Sequence, residues 1–108
     1  MSDFHAVGPE ADYPDGTSTL VEVDDEPIVL IHAAGKFYAL DDVCTHDGGP
    51  LSDGPLHTDG DEPAIVCPRH GAKFALATGK ALTMPATKPT ASHDVKVEDG
   101  QVLIRLSN

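Results

Sequence analysis

The chain has 108 residues, the size of one ordinary domain, of which 40% are hydrophobic and 5% aromatic. Seven Lys and Arg stand against 18 Asp and Glu, a formal net charge of −11. That balance argues against nucleic acid and against anionic membrane surfaces as partners, because both are held by cationic side chains.

At the N-terminus, Met-Ser-Asp-Phe-His has neither the basic start nor the apolar stretch of an export signal. The longest purely aliphatic run, Ile28-Val29-Leu30-Ile31, is far short of the roughly 18 residues that a membrane span needs. A soluble protein of the cytoplasm is expected. Along the chain, short β-prone runs alternate with Gly, Pro and Asp, and no segment sustains helical periodicity. Residues 19–23 alternate loosely, and 27–32 read as a buried strand. Ala34-Gly35 is a hairpin turn leading into a strand over 36–40. Further strands are predicted over 64–66, 73–77, 93–98 and 101–106. Asp99-Gly100, between the last two, is the strongest hairpin signal, since both residues tolerate positive φ. Ten Gly and nine Pro suit strands joined by tight connections. The fold class is all-β.

The middle differs from the ends. Residues 41–63 carry Gly48-Gly49-Pro50, Gly54-Pro55 and Gly60, with acids at Asp41, Asp42, Asp47, Asp53, Asp59, Asp61 and Glu62. So long a stretch with so little apolar content is functional or is clamped by something. Two short boxes border or occupy it: Cys44-Thr45-His46-Asp47-Gly48-Gly49 and Cys67-Pro68-Arg69-His70-Gly71. They place each of the two cysteines within three positions of a histidine. In a reducing compartment such cysteines point to a metal or redox site rather than a disulfide.

Two arrangements suit this donor set. One ion could take Cys44, His46, Cys67 and His70 as a Cys2His2 tetrahedron, the structural zinc solution. Alternatively the four divide between two irons of a [2Fe–2S] cluster, cysteines on one and histidines on the other. Zinc sites usually pair like with like, whereas each box here offers one Cys and one His, which suits a cluster presented edge-on to two loops. The nearby glycines, Gly48, Gly49 and Gly71, would let backbone N–H groups approach bridging sulfides.

These boxes resemble those of the Rieske ferredoxins, the small soluble carriers that serve aromatic-ring dioxygenases. Residues 43–54 (VCTHDGGPLSDG), 65–75 (IVCPRHGAKFA) and 78–82 (TGKAL), then Pro85 and a closing hairpin over 94–104, occur in family order. The spacing between the boxes is a few residues longer than in those carriers, with the added length placed near Leu56 to Pro63. The resemblance implies one [2Fe–2S] cluster held by Cys44, His46, Cys67 and His70. Gly48, Gly49, Gly71, Ala72, Phe74 and Pro85 would lie around it, with Pro85 on a third loop. It implies an antiparallel β-sandwich base, residues 1–42 and 83–108, with a small cluster-binding subdomain, about 43–82, inserted. It implies a one-electron carrier, not an enzyme, between a flavin-dependent ferredoxin reductase and a terminal non-haem iron oxygenase.

Respiratory members of the family join the two boxes by a disulfide, at positions that read Gly49 and Arg69 here. They also place hydroxyls beside the cluster sulfurs, at positions that read Ala72 and Phe74 here. Without those donors the potential should lie near the low end of the Rieske range, about −150 mV. Three other readings stay open: a permanent small subunit of a larger oxidoreductase, a zinc-stabilised interaction module and an iron–sulfur redox sensor. His5, His32, His57 and His93 have no cysteine near and read as surface or strand histidines. Asp41-Asp42, just before the first box, reads either as shaping the potential or docking surface, or as a solvated turn.

Overall fold

The structure, a computed structural model, describes residues 4–42, 51–52, 54–57, 63–67, 71–82 and 90–106. The strands are β1 (His5–Pro9), β2 (Thr17–Val23), β3 (Glu26–Ala33), β4 (Lys36–Asp41), β5 (Leu56–His57), β6 (Ala64–Val66), β7 (Lys73–Ala75), β8 (Ser92–Glu98) and β9 (Gln101–Arg105). Among the described residues the one helical piece is a 3-10 turn, Glu10–Asp12. All pairings are antiparallel, as the all-β reading requires.

Local chemistry accounts for the hairpins. Asp24-Asp25, Ala34-Gly35 and Asp99-Gly100 all have positive φ at both positions, between 52° and 80°. These two-residue turns set the registers Val23↔Glu26, Ala33↔Lys36 and Glu98↔Gln101. Such turns match the right-handed twist of the strands they join. Two of the three contain Gly or follow an Asp-Gly pattern; Asp24-Asp25 does not, and sequence reading passed over it.

The strands form a six-stranded sheet, in the order β1-β9-β8-β4-β3-β2, and a three-stranded sheet, β5-β6-β7. The large sheet folds over on itself. Val102 and Ile104 of β9 bury with Ile28 and Leu30 of β3, although β8 and β4 lie between those strands in the sheet, together with Tyr13, Val23 and Ala39. The other face of β3 presents Val29, Ile31 and Ala33, which with Leu40 pack against Leu51, Ile65, Cys67, Ala72, Phe74 and Leu76. β3 therefore serves two cores at once, which is why its sequence reads as an unbroken apolar run rather than an alternation.

The strand predicted over 73–77 ends at Ala75, because the chain turns there and the Gly79 N–H donates to the Ala75 carbonyl at 2.8 Å. Two strands were not predicted, β1 and β5. His-Ala-Val-Gly-Pro offers a single branched residue, and β5 is two residues long.

Candidate metal centre

Of the ten residues singled out for the site, Cys67, Gly71, Ala72 and Phe74 are described. Cys44, His46, Gly48, Gly49, His70 and Pro85 lie outside the described residues, as does most of the length added between the boxes. What the structure does give is the frame from which the two box segments depart and to which they return.

The second box begins where β6 ends. Cys67 is a free thiol, 1% exposed, set among Leu51, Ala72 and Phe74. Its N–H donates to the Ala72 carbonyl at 2.7 Å, and its own carbonyl accepts from the Gly71 N–H at 2.9 Å. These two bonds tie Cys67 directly to residues 71 and 72. Ala72 and Phe74 are fully buried, and neither carries a side-chain donor.

The first box begins just after β4. The Asp41 N–H donates to the Ala91 carbonyl at 2.9 Å, and the Asp42 N–H to the Pro27 carbonyl at 3.1 Å. The Asp41 carboxylate accepts from Nε2 of His93 at 2.7 Å; the His93 side chain is only 1% exposed. Asp42 is itself buried. Its Oδ1 accepts the backbone N–H groups of Leu51 and Ser52, both at 2.7 Å, and its Oδ2 accepts the Ser52 hydroxyl at 3.1 Å. The chain thus leaves at residue 42 and is brought back at 51–52, with the eight residues of 43–50 between. Of the two readings offered for Asp41-Asp42, shaping the potential or docking surface and a solvated turn, the second does not hold for Asp42, which is a buried junction. The available signal was an aspartate at the end of a strand and the start of a Gly-rich loop, where a carboxylate serves exposed N–H groups.

The stretch that follows the first box segment lies against β6, just before Cys67. The Ser52 carbonyl accepts the Ser18 hydroxyl of β2 at 2.9 Å. The Gly54 N–H donates to the Leu51 carbonyl at 2.8 Å, and the Val66 N–H to the Pro55 carbonyl at 2.9 Å. Gly54 lies so close to β6 that a Cβ there would stand 1.8 Å from the Val66 carbonyl oxygen. Gly79 is held likewise: at φ +76, its Cβ would stand 2.0 Å from the Thr90 carbonyl oxygen, and its own carbonyl accepts the Thr90 N–H at 2.8 Å. The family-like glycines at 54 and 79 are therefore points where two backbones touch.

This frame fits an iron–sulfur group. Cys67 is a buried, free thiol in apolar surroundings, and it shares its core with Leu51, whose N–H is held by Asp42. Such surroundings exclude water from a metal–thiolate bond and raise the share of fixed backbone dipoles around it.

Comparison with known proteins agrees. Residues 3–98 match the model of the Rieske [2Fe-2S] domain. The chain is 40% identical over 99 residues to the 3-phenylpropionate/cinnamic acid dioxygenase ferredoxin subunit of Shigella flexneri serotype 5b, covering 91% of this chain and 89% of that one. Its fold superposes with a TM-score of 0.87 on the ferredoxin of carbazole 1,9a-dioxygenase from Nocardioides aromaticivorans, at 25% identity, covering 94% of this chain and 95% of that one. A chain in a complex of reduced oxygenase and oxidized ferredoxin of carbazole 1,9a-dioxygenase gives 0.84 at 33% identity, with 94% and 92% covered.

Proposed function

The chain belongs to the Rieske [2Fe-2S] domain family and is an electron-transfer ferredoxin, and from that premise we propose how its residues carry the electron and to whom. Cys44 and Cys67 hold one iron, and His46 and His70 the other. When bound, the cluster supplies a one-electron couple whose charge changes by one unit. The family membership retires the single zinc ion as an alternative.

The observation that supports the residue assignment is a buried free thiol at Cys67 that shares a core with Leu51, the residue whose N–H is held by the carboxylate of Asp42, just before the first Cys/His box. The chain's own part is to keep the ligand segments still. The Cys67/Gly71/Ala72 turn and the Asp42 junction fix where each segment begins and ends, so that little need move when the charge changes. The three-stranded sheet and its flanking turns, within about 43–82, act as the cluster-binding unit, inserted into the base of residues 1–42 and 83–108. Gly48, Gly49 and Pro85 lie around the cluster.

The electron comes from a flavin-dependent reductase in the cytoplasm and passes to a terminal oxygenase acting on an aromatic ring. The names of the relatives support that acceptor. No helix among the described residues is long and apolar enough to cross a membrane. The test is analysis of the purified protein: two irons and two acid-labile sulfides per chain, colour, a paramagnetic signal on reduction, and a midpoint near the low end of the family's range, about −150 mV. Cys67→Ser should lose the cluster while the base sheet folds. A midpoint well above zero would show that hydrogen-bond donors reach the sulfurs although Ala72 and Phe74 supply none.

A further inference from the structure

We propose that Asp42 is a positioning residue for the cluster: by clasping both ends of residues 43–50, its carboxylate sets where Cys44 and His46 present their ligand atoms. The inference rests on the ligand assignment above and adds a residue that stands outside the two Cys/His boxes.

The geometry is that of a fixed post. The Asp42 backbone is tied to the Pro27 carbonyl of β3, and the preceding residue to the Ala91 carbonyl, just before β8, and to His93 Nε2 within it. From that post a buried carboxylate takes three donors, all from residues 51 and 52, at 2.7, 2.7 and 3.1 Å. Bonds to a carboxylate are shorter and stronger than neutral ones, and two of these go to a single oxygen. The far end is fixed too, because the Ser52 carbonyl takes the Ser18 hydroxyl, Leu51 is fully buried and the Gly54 N–H bonds the Leu51 carbonyl. A loop of eight residues with both ends pinned samples far fewer conformations than one pinned by its ligands alone.

Asp42→Ala, Asp42→Asn and Asp42→Glu are compared with the parent, each as full-length, cluster-loaded protein. The readouts are iron and sulfide content, the reduced-state paramagnetic spectrum, the first-order rate of cluster loss to excess chelator, and circular dichroism for the fold. Asp42→Ala should keep the β-sheet signal, lose its cluster roughly tenfold faster, the rate equivalent of one net hydrogen bond, and show a displaced spectrum. Asp42→Asn keeps an acceptor oxygen where the two N–H groups meet it, and should stay close to the parent. Asp42→Glu keeps the charge but moves the oxygens by one methylene, and should behave like the alanine variant. If the alanine variant does not fold, the order of Asn and Glu decides alone. An alanine variant with the parent's spectrum overturns the proposal, whatever its rate of cluster loss, and so does an Asn variant departing as far as the Glu variant. A parent chain lacking two irons and two sulfides would instead overturn the ligand assignment, and that shows before any variant is made.

Discussion

At Gly54 the backbone of the turn before β5 presses on the carbonyl of Val66, one residue ahead of Cys67. Both groups are main chain, so an added methyl has nothing flexible to displace. Gly54→Ala should cost about 2–4 kcal/mol, as overpacking at a site that cannot relax does. Thermal unfolding measures the cost, and cluster content in the purified variant should fall with it; a variant as stable and as fully loaded as the parent would contradict the close approach. Tyr13 makes a different kind of prediction. Its hydroxyl donates to the Val7 carbonyl, and burial, with a smaller push from the Asp12 charge, raises its pKa above the ordinary 10.0. The folded state therefore holds this proton more tightly than the unfolded chain. The stability it confers is complete below pH 10 and is lost as pH rises through the raised value. Denaturation midpoints measured on either side of pH 10 should fall more steeply for the parent than for Tyr13→Phe. Equal slopes would remove Tyr13 from the alkaline transition.

Turn chemistry and burial pattern operate at the scale of the element. Asp99-Gly100 is legible because both residue types accept positive φ, and the structure gives 53° and 77°. Ala34-Gly35 was legible through its glycine alone; Ala34 itself sits at φ 52, where a Cβ crowds the carbonyl. Replacing it by asparagine produces the favoured Asn-Gly pair on an exposed turn, and should stabilise the domain by about 0.5–1 kcal/mol. A lowered melting temperature for Ala34→Asn would show that the turn carries no such strain. β3 shows the limit of periodicity. Its apolar run announced a buried strand, but only the two separate clusters on its faces reveal that one core is shared with the segment that carries Cys67 and the other is not.

Across the whole molecule, a net charge of −11 sets the terms of encounter. A carrier this acidic should meet basic surfaces on its redox partners, with association hastened by attraction at long range. Electron-transfer rates to reductase and oxygenase should therefore fall as ionic strength rises, because screening shortens the reach of these charges. Stopped-flow measurement over a salt series checks this, and rates indifferent to salt would rule out steering while leaving the cluster in place. Gel filtration with the native partners separates a freely diffusing carrier, which elutes alone, from a permanent subunit.

The primary sequence by itself determined the β class, most strand positions among the described residues, two of the three two-residue hairpin turns described, and the two Cys/His boxes with the cluster they imply. All of these depend on neighbours within a few residues: a φ preference, an alternation, a donor spacing. Tertiary structure alone decided that Asp42 is a buried junction rather than a wet turn, that His93 belongs to Asp41 from 52 residues away, and that Ser18 reaches Ser52 from 34 away. It also decided that Gly54 and Gly79 are contact points between backbones. A carboxylate reads the same in the chain whether water or three protein donors surround it. What distinguishes the two is which distant segment the fold lays against it.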